Sequence, residues 1–159
     1  MTAVRTVLGG TMHVTRTAVV VTAILAAALT ACSSDKPAAP RHYASAQAIA
    51  DALTKAHFTV SMLHKDTDAG YIAQVGGTAY DFTVTDKAGQ PAPGDGGINM
   101  FPNADSLKSW TGLSKGFGGV AITGDTWAVS LPTTSKTART DSKRLAPKIA
   151  KALGGTVQR

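Results

Sequence analysis

Cysteine is almost missing: Cys32 stands alone in a chain of 159 residues, so no disulfide can form within it and the fold is held without covalent staples. Aromatic residues are scarce too, at 6 %. With most of Tyr71, Tyr80, Phe82, Phe101, Trp110, Phe117 and Trp127 on inferred core faces, they read as packing rather than as a carbohydrate-binding surface. No acidic residue precedes Cys32, and no Arg-Arg pair precedes the apolar run before it; the second absence favours general secretion over a twin-arginine route. That run, Ala18 to Leu29, is broken by Thr22 and falls short of the ~20 residues a spanning helix needs. It therefore reads as a cleaved segment rather than a permanent anchor. Downstream of Cys32 no residue pattern assembles a catalytic centre, a metal site or a cofactor cradle, so none is assigned.

What precedes Cys32 follows an order. A basic stretch with Arg5 and Arg16 comes first, then the apolar run, then small residues up to Cys32. The four residues Leu29-Thr30-Ala31-Cys32 resemble the lipobox of bacterial lipoproteins. The resemblance implies that the Cys32 thiol receives a diacylglyceryl group, that the bond after Ala31 is cut, and that residues 1–31 are a signal peptide. Cys32 would then be the lipidated N-terminus, holding the protein on the extracytoplasmic face of the bacterial cell membrane. Met12-His13-Val14-Thr15-Arg16 already forms a compact basic region, leaving Met1 and Met12 as two candidate starts.

Residues 32–42 contain Ser33-Ser34-Asp35-Lys36-Pro37-Ala38-Ala39-Pro40, which is small, polar and without apolar periodicity; it reads as a solvated tether. Residues 43–159 remain as a single domain, long enough for one modest core. Charge is unevenly distributed. From Lys136 onward there are seven basic residues against Asp141 alone, whereas Cys32 to Ser135 carries seven basic and nine acidic.

The domain reads as α+β. Ala46, Ile49, Ala50 and Leu53 recur at helical spacing behind Ser45, predicting a helix from about Ser45 to Ala56. Two hairpins are expected. A Gly76-Gly77 turn would set Tyr71 opposite Phe82 and Ala73 opposite Tyr80, and a Gly124-Asp125 turn would set Ile122 opposite Trp127 and Val120 opposite Val129. Ile98 to Phe101 reads as a further strand, followed by a helix capped by Asn103 with Leu107, Trp110 and Leu113 facing inward. A last helix buries Leu145, Ile149 and Leu153 and stops at Gly154-Gly155, with Pro147 expected to kink it or delay its start. The result is an antiparallel sheet of two hairpins plus one strand, with helices packed on one face.

Gly96-Gly97-Ile98 to Phe101, Trp110, Phe117-Gly118-Gly119-Val120 and Gly124-Asp125-Thr126-Trp127-Ala128-Val129 are similar to segments of small uncharacterised actinobacterial lipoproteins. That resemblance covers about half of the domain. It implies a fold and a compartment, not an activity.

Four features compete for a functional role. Gly112-Leu113-Ser114-Lys115-Gly116 matches the G-x-S-x-G pattern of a hydrolase elbow, but the elbow needs a strand before its serine and a helix after it, and the expected order here is the reverse. His64, Asp66 and Asp68 offer an imidazole and two carboxylates for a cation, without the spacing of an EF-hand loop; a solvated turn is the reading preferred, and His57 joins it only if the intervening chain is not a strand. Lys143, Arg144, Lys148 and Lys151, with Arg159 beyond, make a basic helix face that could rest on anionic headgroups or wall polymers, at about 1 kcal/mol per residue. Lys87 to Gly97 is a polar loop suited to contact with a partner. A secreted address disfavours nucleic acid. The function expected is a lipid-anchored binding or envelope accessory module; the alternatives are a small hydrolase or metal-binding protein using Ser114 or His64, Asp66 and Asp68, and an inhibitor or accessory subunit of a secreted enzyme.

Overall fold

The computed structural model describes residues 40–158. Cys32, Ala31, the signal segment, both candidate starts, Arg159 and all of the tether but its last three residues lie outside them. Among the described residues, no helix is long and apolar enough to cross a membrane.

The first helix, α1 (Ala46–Lys55), starts where the Ser45 side chain accepts a hydrogen bond from the Ala48 amide at 3.2 Å. Its apolar stripe, Ala46, Ile49, Ala50 and Leu53, is buried as its spacing requires. Short strands follow, β1 (Thr59–Val60) and β2 (His64–Asp66), then a single helical turn, α2 (Tyr71–Gln74). The strands β3 (Thr78–Phe82), β4 (Val84–Thr85) and β5 (Gly96–Met100) come next. The helix α3 (Ala104–Gly116), the hairpin β6 (Val120–Thr123) and β7 (Trp127–Leu131), the long helix α4 (Lys136–Leu153) and β8 (Thr156–Gln158) complete the order. Strands β1 and β4 pair separately, and the other six form an antiparallel sheet in the order β2-β3-β5-β7-β6-β8. The α+β class and the antiparallel sheet match the sequence.

The first expected hairpin is not formed. Tyr71 to Gln74 wind into α2 instead, and the diglycine stops it: Gly76, at φ +76°, donates to Ala73, and Gly77 donates to the Ile72 carbonyl at 2.9 Å. The spacing explains this. Ile72 and Val75 are three apart, a helical interval, and both pack with Phe101, Leu107 and Trp110. Strand β3 takes β2 as its partner, with His64 across from Asp81 and Asp66 across from Ala79, so His64 to Asp66 is an edge strand rather than a turn.

The second hairpin forms with its register displaced by two. Ile122 faces Val129, Val120 faces Leu131, and the Gly124 amide donates to the Trp127 carbonyl at 2.9 Å. A two-residue shift preserves the face of every side chain, so Val120, Ile122, Trp127, Val129 and Leu131 still enter one core. Helices α1 and α4 cover that face, contributing Ile49, Leu53, Leu145, Ile149 and Leu153, each fully buried. Each such side chain contributes roughly 1.5–3 kcal/mol through area removed from water. On the opposite pleat, Ala128 packs with Phe101 and Leu107, so α3 and α2 give a partial second cover that the sequence did not announce.

Other corrections are local. Leu113 is 42 % exposed and Phe117 85 %, so neither serves the core, and Tyr71 is also exposed. Helix α4 starts behind its Ser135 cap and continues past Pro147 without a delayed start; the proline is exposed, on the side where a carbonyl left without a donor can be hydrated. Gly96 and Gly97 belong to β5 rather than to the preceding loop, and β8 extends the sheet beyond the expected helix stop. Contacts with the domain begin at Arg41, whose carbonyl accepts from Trp127 Nε1 at 2.8 Å.

Candidate functional site

Alternation along the strands sorts the sheet into two chemistries. One pleat carries Tyr80, Ile98, Val129 and Ile122 in a single cross-strand row. The other carries two polar rows: His64, Asp81, Gly97 and Ser130 side by side on β2, β3, β5 and β7, and next to it Asp66, Ala79, Asn99 and Ala128. Where α3 covers this second pleat, near β6 and β7, the residues are small and apolar. Nearer β2 and β3 the single turn α2 adjoins β3, and a groove of about 260 Å³ opens among α2, α3 and the loop that leads into β5.

Asp66, Asp81, Asp95, Asn99, Ser130 and Trp110 line this groove. Asn99 is the unusual member. It lies on the central strand β5 and is only 3 % exposed, yet its side-chain amide makes no hydrogen bond among the described residues. The residue is buried, but its amide atoms open onto the groove: among the described residues the fully enclosed side-chain polar atom without a partner is Asp86 Oδ1. Gly97 keeps that amide uncovered: a methyl group there would stand 2.8 Å from Ser130 Oγ and 3.5 Å from Asn99 Oδ1. Ser130 Oγ donates to the Gly97 carbonyl at 3.3 Å, and Asp66 Oδ1 accepts from the Asp68 amide at 2.8 Å. The lining contains three carboxylates and no lysine or arginine.

The residues singled out in the sequence fare differently. His64 and Asp66 share one face of β2, but Asp68 leaves the strand, and among the described residues no three His, Cys, Asp or Glu side chains stand close enough to hold a metal ion. Ser114 lies inside α3, with its strand β6 after it rather than before. Its environment is that of a helix exit: the Gly119 amide donates to the Ser114 carbonyl at 2.8 Å, and a side chain at Gly119 would collide with the serine. His57 lies just beyond α1 at φ +66°, seven residues from His64 and away from the groove.

The basic face of α4 is partly spent within the molecule. Arg144 reaches Asp86 at 2.7 Å and Asp141 at 3.2 Å, and Lys148 closes on the same Asp86 oxygen. Hydrogen bonds from Arg144 first and Lys148 second hold the Asp86 carboxyl well below the usual carboxylate range, against the opposing effect of its burial. Asp86 in turn raises the Arg144 guanidinium. Lys143 and Lys151 remain exposed and outside any ion pair among the described residues.

Sequence reasoning missed Asp81, Asp95, Asn99 and Ser130, and took Trp110 for core alone. The available signal was Asn99 itself, a polar residue on the pleat opposite Ile98 and Met100 that is followed on its own pleat by the apolar Phe101. No family model matches the chain, and neither a curated protein nor a solved structure matches it.

Proposed function

We propose that this chain is a lipid-anchored extracytoplasmic binding module, held on the bacterial membrane through Cys32 and presenting the groove on the open pleat of its sheet to a small ligand. The observation that carries the binding half of this reading is the Asn99 amide, opening onto the groove from a central strand, unpartnered, and left bare by Gly97. Preorganised polar groups with vacant hydrogen-bonding capacity inside a concave site are what a ligand completes. The anchoring half rests on the order of basic, apolar and small residues that ends in Leu29-Thr30-Ala31-Cys32. Catalysis draws little support: Ser114 is a helix residue, and the groove lacks a nucleophile paired with a base. Lys143 and Lys151 give α4 a way to rest against anionic headgroups or wall polymers while the groove stays open.

Metabolic labelling of the full chain with palmitate, expressed in a bacterium with its own lipoprotein machinery, tests the anchor. Label on the native protein and none on Cys32→Ser, with the variant released to the soluble fraction, is the expected result. A Cys32→Ser chain that remains equally membrane-bound overturns it.

A further inference from the structure

We infer that the groove takes an organic cation, an alkylammonium or guanidinium group on a short carbon skeleton; this rests on the reading of the groove as the binding site. Asp66, Asp81 and Asp95 converge on it with no lysine or arginine in the lining, and Asp81 and Asp95 enter no ion pair among the described residues. Three like charges around one concavity repel one another and focus a negative potential that a cation relieves. The carboxylates are nevertheless too dispersed to share one metal ion. An organic cation spans what a bare ion cannot, because its donors are spread over several atoms.

The remaining lining fits the same ligand. The Asn99 carbonyl oxygen can accept an N–H that the carboxylates leave free, and its NH₂ can donate to an acceptor elsewhere on the ligand. Trp110 forms an aromatic wall, and a cation against an indole is attracted by the ring quadrupole. A volume of about 260 Å³ admits a group the size of an amino-acid side chain or a small diamine, and little more. The same chemistry can arrive free or on the basic side chain of a peptide.

The chain has two tryptophans, and Trp127 is fully buried in the other core, so a ligand-dependent change in indole emission reports Trp110. The full chain in detergent would be titrated with 1,4-diaminobutane, arginine amide, the tripeptide Gly-Lys-Gly and the neutral 1,4-butanediol. Saturable responses to the cations are expected, at least tenfold weaker in Asp81→Asn and in Asp95→Asn, and weaker as salt shortens the Debye length. Both carboxylates are exposed, so these variants should fold, which circular dichroism verifies. Tighter binding of the diamine than of the tripeptide assigns a free small cation; the opposite order assigns a basic segment of a partner. A response to butanediol as strong as that to diaminobutane overturns the cation while leaving the groove as a binding site. Silence toward all four probes also overturns it, and if the Asn99 side-chain amide resonances are then unmoved by neutral sugars and organic acids as well, the binding reading falls with it.

Discussion

The indole N–H of Trp127 donates to the carbonyl of Arg41 at 2.8 Å, across 86 positions of sequence. This bond ties the start of the domain to the turn of the β6–β7 hairpin. The Tyr43 ring meets the same indole edge-on, with centroids 5.5 Å apart, and the Arg41 amide donates to Gly154 at the end of α4. One aromatic residue therefore joins the entry to the domain, the hairpin and the last helix.

Trp127→Phe removes this donor, strands a carbonyl and thins a fully buried contact; the expected loss is about 2–3 kcal/mol. Gly124→Ala should be costly for a different reason, because a Cβ at that position overlaps the indole and the overpacking costs about 1–3 kcal/mol. Denaturant unfolding of both variants checks these values. A Gly124→Ala protein as stable as the parent would show that the indole does not lie where described.

Asp86 makes stability depend on pH in a defined direction. Its carboxyl is depressed in the folded state, so its contribution is fully present above the unfolded value of about 4 and is lost as pH falls from there toward the folded value. Asp86→Asn should therefore cost about 1–2 kcal/mol at neutral pH, a figure kept modest because Lys148 is 53 % exposed. The gap between parent and variant should narrow between about pH 4 and pH 2, as chemical denaturation at several pH values would reveal. A constant gap across that range would mean that the ion pairs contribute nothing.

Asn99 should separate stability from binding. Replacing an amide that makes no hydrogen bond within the protein by an apolar side chain of similar size removes no intramolecular bond, so Asn99→Val is expected to change stability by less than about 1 kcal/mol. The same change should abolish any ligand-induced change in Trp110 emission. A loss of several kcal/mol in thermal unfolding would instead mean that Asn99 is a structural hydrogen-bonding residue.

Helices α1, α3 and α4 were legible because each is governed by neighbours in sequence: Ser45 and Asn103 cap the turns that follow them, and the stripes of α1 and α4 repeat every three to four residues. The apolar face of the β6–β7 hairpin was legible for the same reason, and it survived an error of two in register since only parity sets the face. Tyr71 to Val75 misled because so short a segment, apolar but for Gln74, fits either period, and the choice was made by Phe101, Leu107 and Trp110, far away in the chain.

By itself the sequence determined the absence of an internal disulfide, the α+β class, both ends of α1, the start of α3, the stop of α4 and which pleat of the hairpin is apolar. Each of these follows from residue types or from spacing within a dozen positions. Only the tertiary structure decided that β2 would pair with β3, that β8 would close the far edge, and that Asp66, Asp81, Asp95 and Asn99 would surround one groove. Strand order is set by which edges can bury their faces together and satisfy their backbone groups, and that sum runs over the whole fold rather than over any local run of residues.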